Sequence, residues 1–492
     1  FWMKHGIIKA SIIGALCSLL SVGGAFAASF TVVHSHDSGA GSLREALQQA
    51  SGTDEANAIY IQSNGHINIK SPLIYSAQSP LFLFGQNQTI KANEDFTLLT
   101  ISEGADLSVE HLKFQGPGGF DINNRADLDG NKGKGIFIDV RDTQTGVLKL
   151  VLHGVRVSDV GGHGVHVFDC TIAKDAPLKC GEGYGGAGVG SDASISISMN
   201  GSSIINVGMG GYDADGLRVD ERGLGDINAS IVNSQFLNNG ADGVEFDEGQ
   251  EGSVIMHAVA SKFNNNGIYC DVSIMKPFMP SEDEGEFEDN QVKPADIISN
   301  LVIDITEEGK YNGAIKTGSP DDGCLETEVK FHDSGFVEEF EIAIDTDDGV
   351  DIDEAGEGDI SGQIFDSEVN ANADEGFDID ELNAGGIFMT INNTIARDNS
   401  DDGFKHSEED EGSVVGQIEN SIAKDNGGKG FVFEEENEGN VFIMASDVAT
   451  SNNDDSDDTG MELVQDDEGS GAAYISDSSV EDGFDISGLD RL

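Results

Sequence analysis

Two rows of carboxylates recur in the second half of the sequence at a constant interval. Asp351 and Asp353 are followed 27 residues later by Asp378 and Asp380. If each pair lies on a strand that stacks on the next, equivalent aspartates come within about 4.8 Å of one another. Carboxylates that converge at such distances are what calcium uses, whereas a solvated acidic face needs only salt to screen its repulsion. These four aspartates therefore predict either a calcium site or a face of solvated charge.

Histidines offer a second, sparser set of potential metal ligands. His34 and His36 are two residues apart, and His163 and His166 are three apart. Such spacings are common on strands and turns that hold no metal. His163 also sits between two glycines. We therefore interpret the four histidines as strand and turn residues and not as a metal site.

The first 27 residues have the features of an export signal. Lys4 and Lys9 precede an apolar run at 12–22, and the segment ends in an Ala-x-Ala sequence. We predict a signal peptide at 1–27, whose first two residues precede Met3 and are interpreted as non-native. The protein is then exported to the periplasm, cell surface or exterior of a Gram-negative bacterium. We expect no membrane-spanning segment after residue 27, because no later stretch is apolar enough.

Export favours disulfides. Four cysteines follow the signal, and they allow three pairings. We favour Cys170 with Cys180 and Cys270 with Cys324, because each bond would close a segment that interrupts the repeat described below. The competing interpretation, a zinc site, finds no CxxC motif or adjacent histidine pair in the sequence.

The formal net charge of −63 is concentrated after residue 210. A surface this acidic repels nucleic acid and anionic lipid by the same electrostatics that let basic proteins bind them. We therefore exclude nucleic acid as a partner. Cations and cationic surfaces are what such a surface attracts.

The elements that would position these residues follow a repeat. Four "lead glycines" fall 27 residues apart, and a second glycine follows each of them nine residues later. Alternating apolar and polar residues after each lead glycine are typical of one coil of a solenoid. The repeat predicts one inward row through Val350, Phe377, Phe404 and Phe431, and another through Ile360, Ile387, Val414 and Val441. It also predicts a stack of asparagines through Asn372, Asn399 and Asn426, with Asn239 in the equivalent position of an earlier coil. The lead glycines are Gly349, Gly376, Gly403 and Gly430.

Two further segments complete the organisation. Ser42 and Glu45 form a capping box before an apolar stripe, so we predict an amphipathic helix that covers the first coil. The repeat blurs at about 268–345, where four of the eight prolines lie. We interpret this segment as degenerate coils that carry one long loop at about 273–295, within a single domain at 28–492.

The stretch Asp37–Leu47, which reads DSGAGSLREAL, and the short strands after it resemble a known family. They are similar to the amino-terminal part of exported bacterial parallel β-helix proteins of the pectin-lyase-like superfamily, which carry a Ser-Leu-Arg-Glu-Ala signature. The resemblance implies an all-β, right-handed parallel β-helix, here with about 27 residues per coil. It does not imply one activity, since the superfamily includes lyases, hydrolases, epimerases and adhesins.

The resemblance also suggests where a reaction would take place. Enzymes of the superfamily that cleave acidic polysaccharides hold calcium with aspartates and use an arginine or lysine as the base. Arg218 is the one place in this sequence with a similar arrangement, and a polygalacturonase-like site would need an Arg-Ile-Lys that the sequence lacks. The aspartates near Arg218 in this arrangement are Asp215, Asp220, Asp242 and Asp247.

We therefore expect a secreted or surface-displayed acidic scaffold, similar to an adhesin, that binds cations or an extracellular partner such as a polysaccharide. The alternative is a calcium-dependent polysaccharide lyase or glycoside hydrolase of the same fold. Calcium is the only cofactor that either interpretation implies. The charge of the chain favours the scaffold, because an acidic polymer would have to approach an acidic surface.

Overall fold

The computed structural model describes the chain in segments. The described residues are 28–122, 132–171, 188–211, 213–279, 284–293, 302–305, 311–314, 324–332, 334–453, 459–466 and 469–492. The predicted signal peptide at 1–27 lies outside them, and so does Cys180. No helix within the described residues is long and apolar enough to cross a membrane.

The chain is a right-handed parallel β-helix in which each complete coil contributes one strand to each of three parallel ladders. The first ladder contains Leu73–Tyr75, Leu99–Ile101, Ile136–Asp139, Val165–Asp169, Leu217–Glu221, Val244–Glu248, Val350–Glu354, Phe377–Asn383, Ser407–Asp410, Phe431–Asn437, Met461–Gln465 and Phe484–Ser487. The second contains Ala28–Val32, Asn57–Ile61, Thr145–His153, Asp192–Asn200, Ile227–Val232, Val254–Val259, Ile360–Phe365, Gly386–Asn392, Ser413–Glu419, Asn440–Ser446, Gly471–Ser476 and Leu489–Arg491. The third contains Ile67–Ile69, Arg156–Ser158, Ser203–Ile205, Gln235–Leu237, Lys262–Asn264, Glu368–Asn370, Ile395–Arg397, Ile422–Lys424, Ala449–Ser451 and Ser479–Val480. Two longer strands pass from the second ladder into the third, Leu81–Ala92 and Leu107–Gln115.

The core lies between the three ladders and is built by the predicted inward rows. Phe377 pairs with Val350 and Phe404 with Phe431, and none of these side chains is exposed to solvent. The rings of Phe404 and Phe431 stack with their centroids 5.1 Å apart. The second row is equally buried and in register through Ile360, Ile387, Val414 and Val441. Both predicted rows are therefore confirmed, and burial of each large side chain contributes about 1.5–3 kcal/mol.

A stack of buried asparagines fixes the register of the coils. The Nδ2–H of Asn372 donates to Oδ1 of Asn399 at 3.0 Å, and Asn399 donates in the same way to Asn426 at 3.0 Å. The predicted stack is confirmed, and it is longer than the repeat suggested. It runs from Asn239 through Asn266, Asn372, Asn399 and Asn426 to Asn453.

The predicted helix before the coils is present at Leu43–Ala50. Ser42 Oγ accepts a hydrogen bond from the N–H of Glu45 at 3.2 Å, and Glu45 Oε2 accepts one from the N–H of Gly41 at 2.6 Å. The apolar stripe of the helix is buried through Leu43, Ala46, Leu47 and Ala50.

Within the described residues, the segment at about 268–345 does not form coils of the β-helix. Val244–Glu248 pairs directly with Val350–Glu354, so two coils that touch are separated by more than a hundred residues of chain. The prediction of degenerate coils is therefore wrong. The repeat was lost here because the chain leaves the β-helix and then returns to the same ladders.

The described part of this insertion has its own structure. A short helix, Val272–Met275, and a 3₁₀ turn, Lys276–Phe278, are followed by a five-stranded antiparallel sheet. In sheet order, the strands are Glu284–Glu286, Val337–Ile344, Leu325–Phe331, Tyr311–Ala314 and Val302–Ile305. A separate apolar core around Tyr269 and Met275 supports it, and a disulfide joins Cys270 to Cys324. The other favoured pair includes Cys180, so Cys170–Cys180 stays a prediction.

Candidate functional site

The outward face of the first ladder carries most of the candidate site residues. The structure aligns Asp351 with Asp378 and Asp353 with Asp380 on neighbouring strands. On the next coil Lys405 Nζ lies 2.9 Å from Asp378 Oδ2 and 3.8 Å from Asp380 Oδ2. The predicted aspartate rows thus form one surface, with a single lysine at one end of these two pairs.

Within the described residues, three-carboxylate groups converge on this face. In each group one oxygen of every member lies within 4.8 Å of the others. Asp351 belongs to one group and Asp378 to another, whereas Asp353 and Asp380 belong to none of them. The groups are Asp213, Asp215 and Glu245; Asp242, Glu245 and Asp351; Asp348, Glu375 and Asp378; and Asp374, Glu375 and Asp401.

The additional members of these groups come from the turns before strands of the first ladder, except Glu245, which lies on the strand Val244–Glu248. Asp242, Asp348 and Glu375 each stand directly before the glycine that starts such a strand. The N–H of Asp348 donates to Asp242 Oδ1, and the N–H of Glu375 donates to Asp348 Oδ1 at 2.7 Å. Sequence reasoning named Asp242 only as a neighbour of Arg218 and missed Asp348 and Glu375, although their constant position before a glycine was a usable signal.

The electrostatics of these groups favour a positive ligand. Burial, and next the charge of Glu375, raises the pKa of Asp348 well above its usual range. Burial and the neighbouring Asp378 do the same to the pKa of Glu375. Buried carboxylates so close together are either protonated or neutralised by a cation. Three carboxylates supply up to six oxygens, the ligand type and number that suit calcium.

Arg218 stands in a buried cluster of carboxylates further along the same face. Its Nε lies 2.9 Å from Asp220 Oδ1, and its Nη2 lies 2.8 Å from Asp247 Oδ2. Its Nη1 lies 3.4 Å from Asp215 Oδ2 and also contacts Asp213 and Glu245. The structure therefore brings Arg218 together with Asp215, Asp220 and Asp247, and Asp242 joins them because its N–H donates to Asp215 Oδ1 at 3.1 Å.

These contacts make Arg218 a counter-ion. Burial alone would lower the pKa of its guanidinium, but Glu245 and the other carboxylates raise that pKa well above its usual value. All three guanidinium nitrogens donate to carboxylates. A group that stays protonated and fully engaged cannot accept a substrate proton. The geometry therefore gives no support to the role of base that the resemblance suggested for Arg218.

A second network beside Arg218 was missed in the sequence. His166 Nε2 lies 2.5 Å from Asp220 Oδ2, and Lys134 Nζ contacts His166 Nδ1. His163 Nδ1 lies 3.1 Å from Asp215 Oδ2. His163 and Asp215 both stand directly before a glycine that starts a first-ladder strand, so the register would have paired them. The histidines near the amino terminus lie elsewhere, where His34 Nε2 contacts the carbonyl oxygen of Ala40 at 2.7 Å.

The protonation states of this network follow from its burial. Burial lowers the pKa of Lys134 to about 8, although the charge of Asp220 opposes the shift. Burial, and next the charge of Lys134, lowers the pKa of His166 well below its usual value. Neutral His166 then donates from Nε2 to Asp220 and accepts at Nδ1 from Lys134. A lysine of lowered pKa on a histidine and an aspartate is an arrangement able to move a proton.

No protein-family model matches this chain, and no curated protein is similar to it. Several solved structures are similar to it, including the following three. Pectate lyase Pel9A shares 14% identity at a TM-score of 0.36, with 94% of this chain and 78% of that one covered. The A-module of the mannuronan C-5 epimerase AlgE6 of Azotobacter vinelandii shares 10% identity at a TM-score of 0.38, with 94% and 99% covered. The enzymatically active domain of tailspike protein 2 of bacteriophage CBA120 shares 10% identity at a TM-score of 0.35, with 90% of this chain and 49% of that one covered.

At these identities and TM-scores the similarity carries no conclusion about activity. The assignment of this chain as a right-handed parallel β-helix rests on its own strand pairing, in which three parallel ladders run from the first described strand to the last.

Proposed function

We propose that the protein is an exported acidic β-helix scaffold that binds divalent cations, calcium above all, along the outward face of its first ladder. The observation that supports this function best is the convergence of carboxylates in groups of three around Asp348, Glu375 and Asp378 and around Glu245. Hard oxygen ligands in this number favour calcium over transition metals.

The groups at Asp348 and Glu375 have a physical reason to bind a cation. Asp348 and Glu375 are buried beside the other carboxylates of their groups, so ionisation without a counter-charge is costly. Lys405, which lies beside these groups, already contacts Asp378 and Asp380. A divalent cation would replace the protons that these carboxyls otherwise keep.

Bound cations would also change which partners the scaffold can meet. A chain of net charge −63 repels an acidic polysaccharide or an acidic cell surface. Calcium held on the first ladder would offset most of the charge of the carboxylates that hold it and could bridge to carboxylates of an extracellular polymer. We therefore infer cation-dependent adhesion to an acidic extracellular partner as the role of the scaffold.

A thermal-unfolding experiment tests cation binding. Calcium should raise the melting temperature by mass action, and sodium at the same ionic strength should not. Glu375→Gln should remove the part of the calcium response that comes from two of the four groups, because Glu375 belongs to both of these. Glu357→Gln is the matched control, since Glu357 is exposed on the same coil. Equal shifts of the melting temperature with sodium and calcium would mean that the acidic face is only solvated charge and binds no calcium.

A second candidate function is polysaccharide cleavage by a lyase or a glycoside hydrolase. The specific observation in its favour is the network of Lys134, His166 and Asp220, in which a lysine of lowered pKa is held on a histidine. A lyase needs a base for a carbon-bound proton, and Lys134 is a better candidate than the fully paired Arg218.

A panel of acidic and neutral polysaccharides separates the two functions. Unsaturated ends in the products indicate a lyase, and reducing ends alone indicate a hydrolase. Lys134→Gln should abolish either activity, whereas Lys149→Gln, at an exposed position, should leave it unchanged. If no polysaccharide is cleaved while calcium is bound, the scaffold is the supported function.

A further inference from the structure

The first ladder carries a row of glutamates on its inward side. Each stands five residues after the glycine that starts its strand, and strand pairing puts each in register with the next. None of these side chains is exposed to solvent. The buried glutamate row consists of Glu221, Glu248, Glu354, Glu381, Glu408 and Glu435.

The second glycine of each repeat makes room for this row. A Cβ placed on Gly385 would lie 2.5 Å from Glu381 Oε1 and 1.7 Å from the carbonyl oxygen of Gly358 on the preceding coil. The same clash occurs at Gly412 with Glu408 Oε1. The conserved spacing between glutamate and glycine within the repeat is therefore a packing requirement of a buried carboxyl group.

Hydrogen-bond donors inside the row are scarce. One oxygen each of Glu221, Glu248 and Glu354 accepts a backbone N–H two residues further on, at 3.0–3.2 Å. Their other oxygens have no N–H or hydroxyl donor among the described residues, and this holds for both oxygens of Glu381 and Glu408.

The carboxyls that lack such donors lie within hydrogen-bond reach of their neighbours in the row. Two carboxylates cannot hydrogen-bond to each other, because each is only an acceptor. A proton between them turns the contact into a hydrogen bond.

We propose that the buried glutamate row is a ladder of shared protons, in which no two neighbouring carboxyls are both ionised at neutral pH. At least every second member is then protonated and donates to its neighbour. The buried glutamate row ends at Glu435, which accepts a hydrogen bond from Nε2 of Gln465, the residue in register on the next coil. The chain thus uses a permanent amide donor where the row of acids stops.

The electrostatics of the row agree with this arrangement. Burial, and next a hydrogen bond to a neighbouring glutamate, raises the pKa of Glu221 to about 10 and that of Glu354 to about 11. The same causes raise the pKa of Glu408 to about 9. Burial also raises the pKa of Glu381, but only to about 7, because it accepts from Glu354 and Glu408. Glu354 and Glu408 are then acids on either side of Glu381, which is the carboxylate between them.

The charged groups around the row do not supply the missing protons. Asp169 lies in register before Glu221, and Asp359 and Asp410 act on Glu381, so all three add negative charge. Arg222 is buried nearby, but its Nη2 lies 3.1 Å from Asp247. His406 stacks on Phe433, and burial lowers its pKa to about 4, which leaves it neutral.

A metal ion in the row is a weaker explanation. Within the described residues, no three of these glutamates bring their oxygens together within 4.8 Å, in contrast to the outward groups. The row therefore offers a cation too few ligands.

The shared protons couple stability to pH with a defined sign. The pKa of four of these glutamates, Glu221, Glu354, Glu381 and Glu408, is higher in the folded state than in the unfolded chain, where it is about 4.3. Their contribution to stability is complete below that value and is lost as the pH rises through the folded values of about 7–11. Each retained proton lowers the folding equilibrium constant about tenfold per pH unit in this window. The fold is thereby tightened in acid and loosened in alkali.

Unfolding by denaturant at several pH values tests whether the buried glutamate row shares protons. The double variant Glu354→Gln with Glu408→Gln replaces two proton donors by amides, as Gln465 does in the native row. Between about pH 5 and 8, the folding equilibrium constant of the wild type should fall with each pH unit by a factor about a hundred times larger than that of the double variant. The reason is that the folded double variant retains two protons fewer. Glu436→Gln changes the exposed neighbour of Glu435 on the same strand and should follow the wild type. Parallel curves for the wild type and the double variant would overturn the proposal.

Infrared spectroscopy provides a test that does not depend on unfolding. The wild type at neutral pH should show the C=O stretch of buried protonated carboxyls, and the double variant should lose part of it. If the double variant fails to fold, the wild-type band alone decides the matter, and its absence refutes the ladder. A cation retained by the wild type after treatment with a chelator, in place of that band, would also refute it. None of these variants alters the outward carboxylates, so the proposed calcium binding is tested separately.

Discussion

Replacement of Arg218 by methionine should destabilise the protein severely. Arg218 is 6% exposed and contacts Asp220 and Asp247 at 2.9 and 2.8 Å, with three further carboxylates around it. Loss of one partner from a buried ion pair costs about 3–5 kcal/mol, because the other charge is left uncompensated. Five carboxylates are left here, so we expect a cost at the upper end of that range.

The cost should depend on pH in a direction that the cluster dictates. Burial would raise the pKa of Asp220, but Arg218 and next His166 lower it well below the usual range. In the variant this carboxyl loses its main counter-charge, so acid should relieve part of the loss by protonation. The destabilisation should therefore be smaller at pH 5 than at pH 8.

Urea unfolding at both pH values measures this effect. Arg156→Met provides a matched control, because Arg156 is exposed on the third ladder. Arg218→Lys should rescue little, since an ammonium cannot replace the planar fork of donors. A loss below about 1 kcal/mol, equal to that of the control, would refute the interpretation of Arg218 as a buried counter-ion.

Two further predictions concern the fold. Phe377→Ala should cost about 3–5 kcal/mol of unfolding free energy, because it leaves a cavity between Phe263 and Phe404. Phe388→Ala, at an exposed position, should cost much less. Equal losses in the two variants would contradict the assigned register. Mass spectrometry of the unreduced protein should find a peptide that links Cys170 to Cys180, and a free thiol at Cys180 would disprove that pairing.

Much of the fold was accessible from the sequence because the repeat is a direct record of the coil. The lead glycines and the apolar residues after them predicted the inward rows, which strand pairing confirms. The insertion could not be predicted in the same way. Glu248 and Glu354 are neighbours in space, but the blurred repeat and the prolines between them do not show that the chain leaves one ladder and returns to it.

The site was less accessible, because its members come from turns as well as strands. Alternation along the strand identified Asp351 and Asp378. It could not identify Asp348 and Glu375, which precede the strand and reach the site through the shape of the turn. The inward glutamates were missed for another reason. The alternation along each strand places them on the inward side, but an acidic residue is normally assigned to the surface because its carboxyl is assumed to be ionised.

Calorimetric titration with calcium tests the central claim most directly. The protein is first treated with a chelator and then titrated at constant ionic strength in buffers of different ionisation enthalpy. We predict saturable binding with release of protons, because the carboxyls of Asp348 and Glu375 have raised pKa values and must ionise to bind the ion. Binding should weaken as the pH falls, should lose the two groups that share Glu375 in Glu375→Gln and should persist in Glu357→Gln. Heats that do not saturate, or that are the same in Glu375→Gln and in the wild type, would contradict the account.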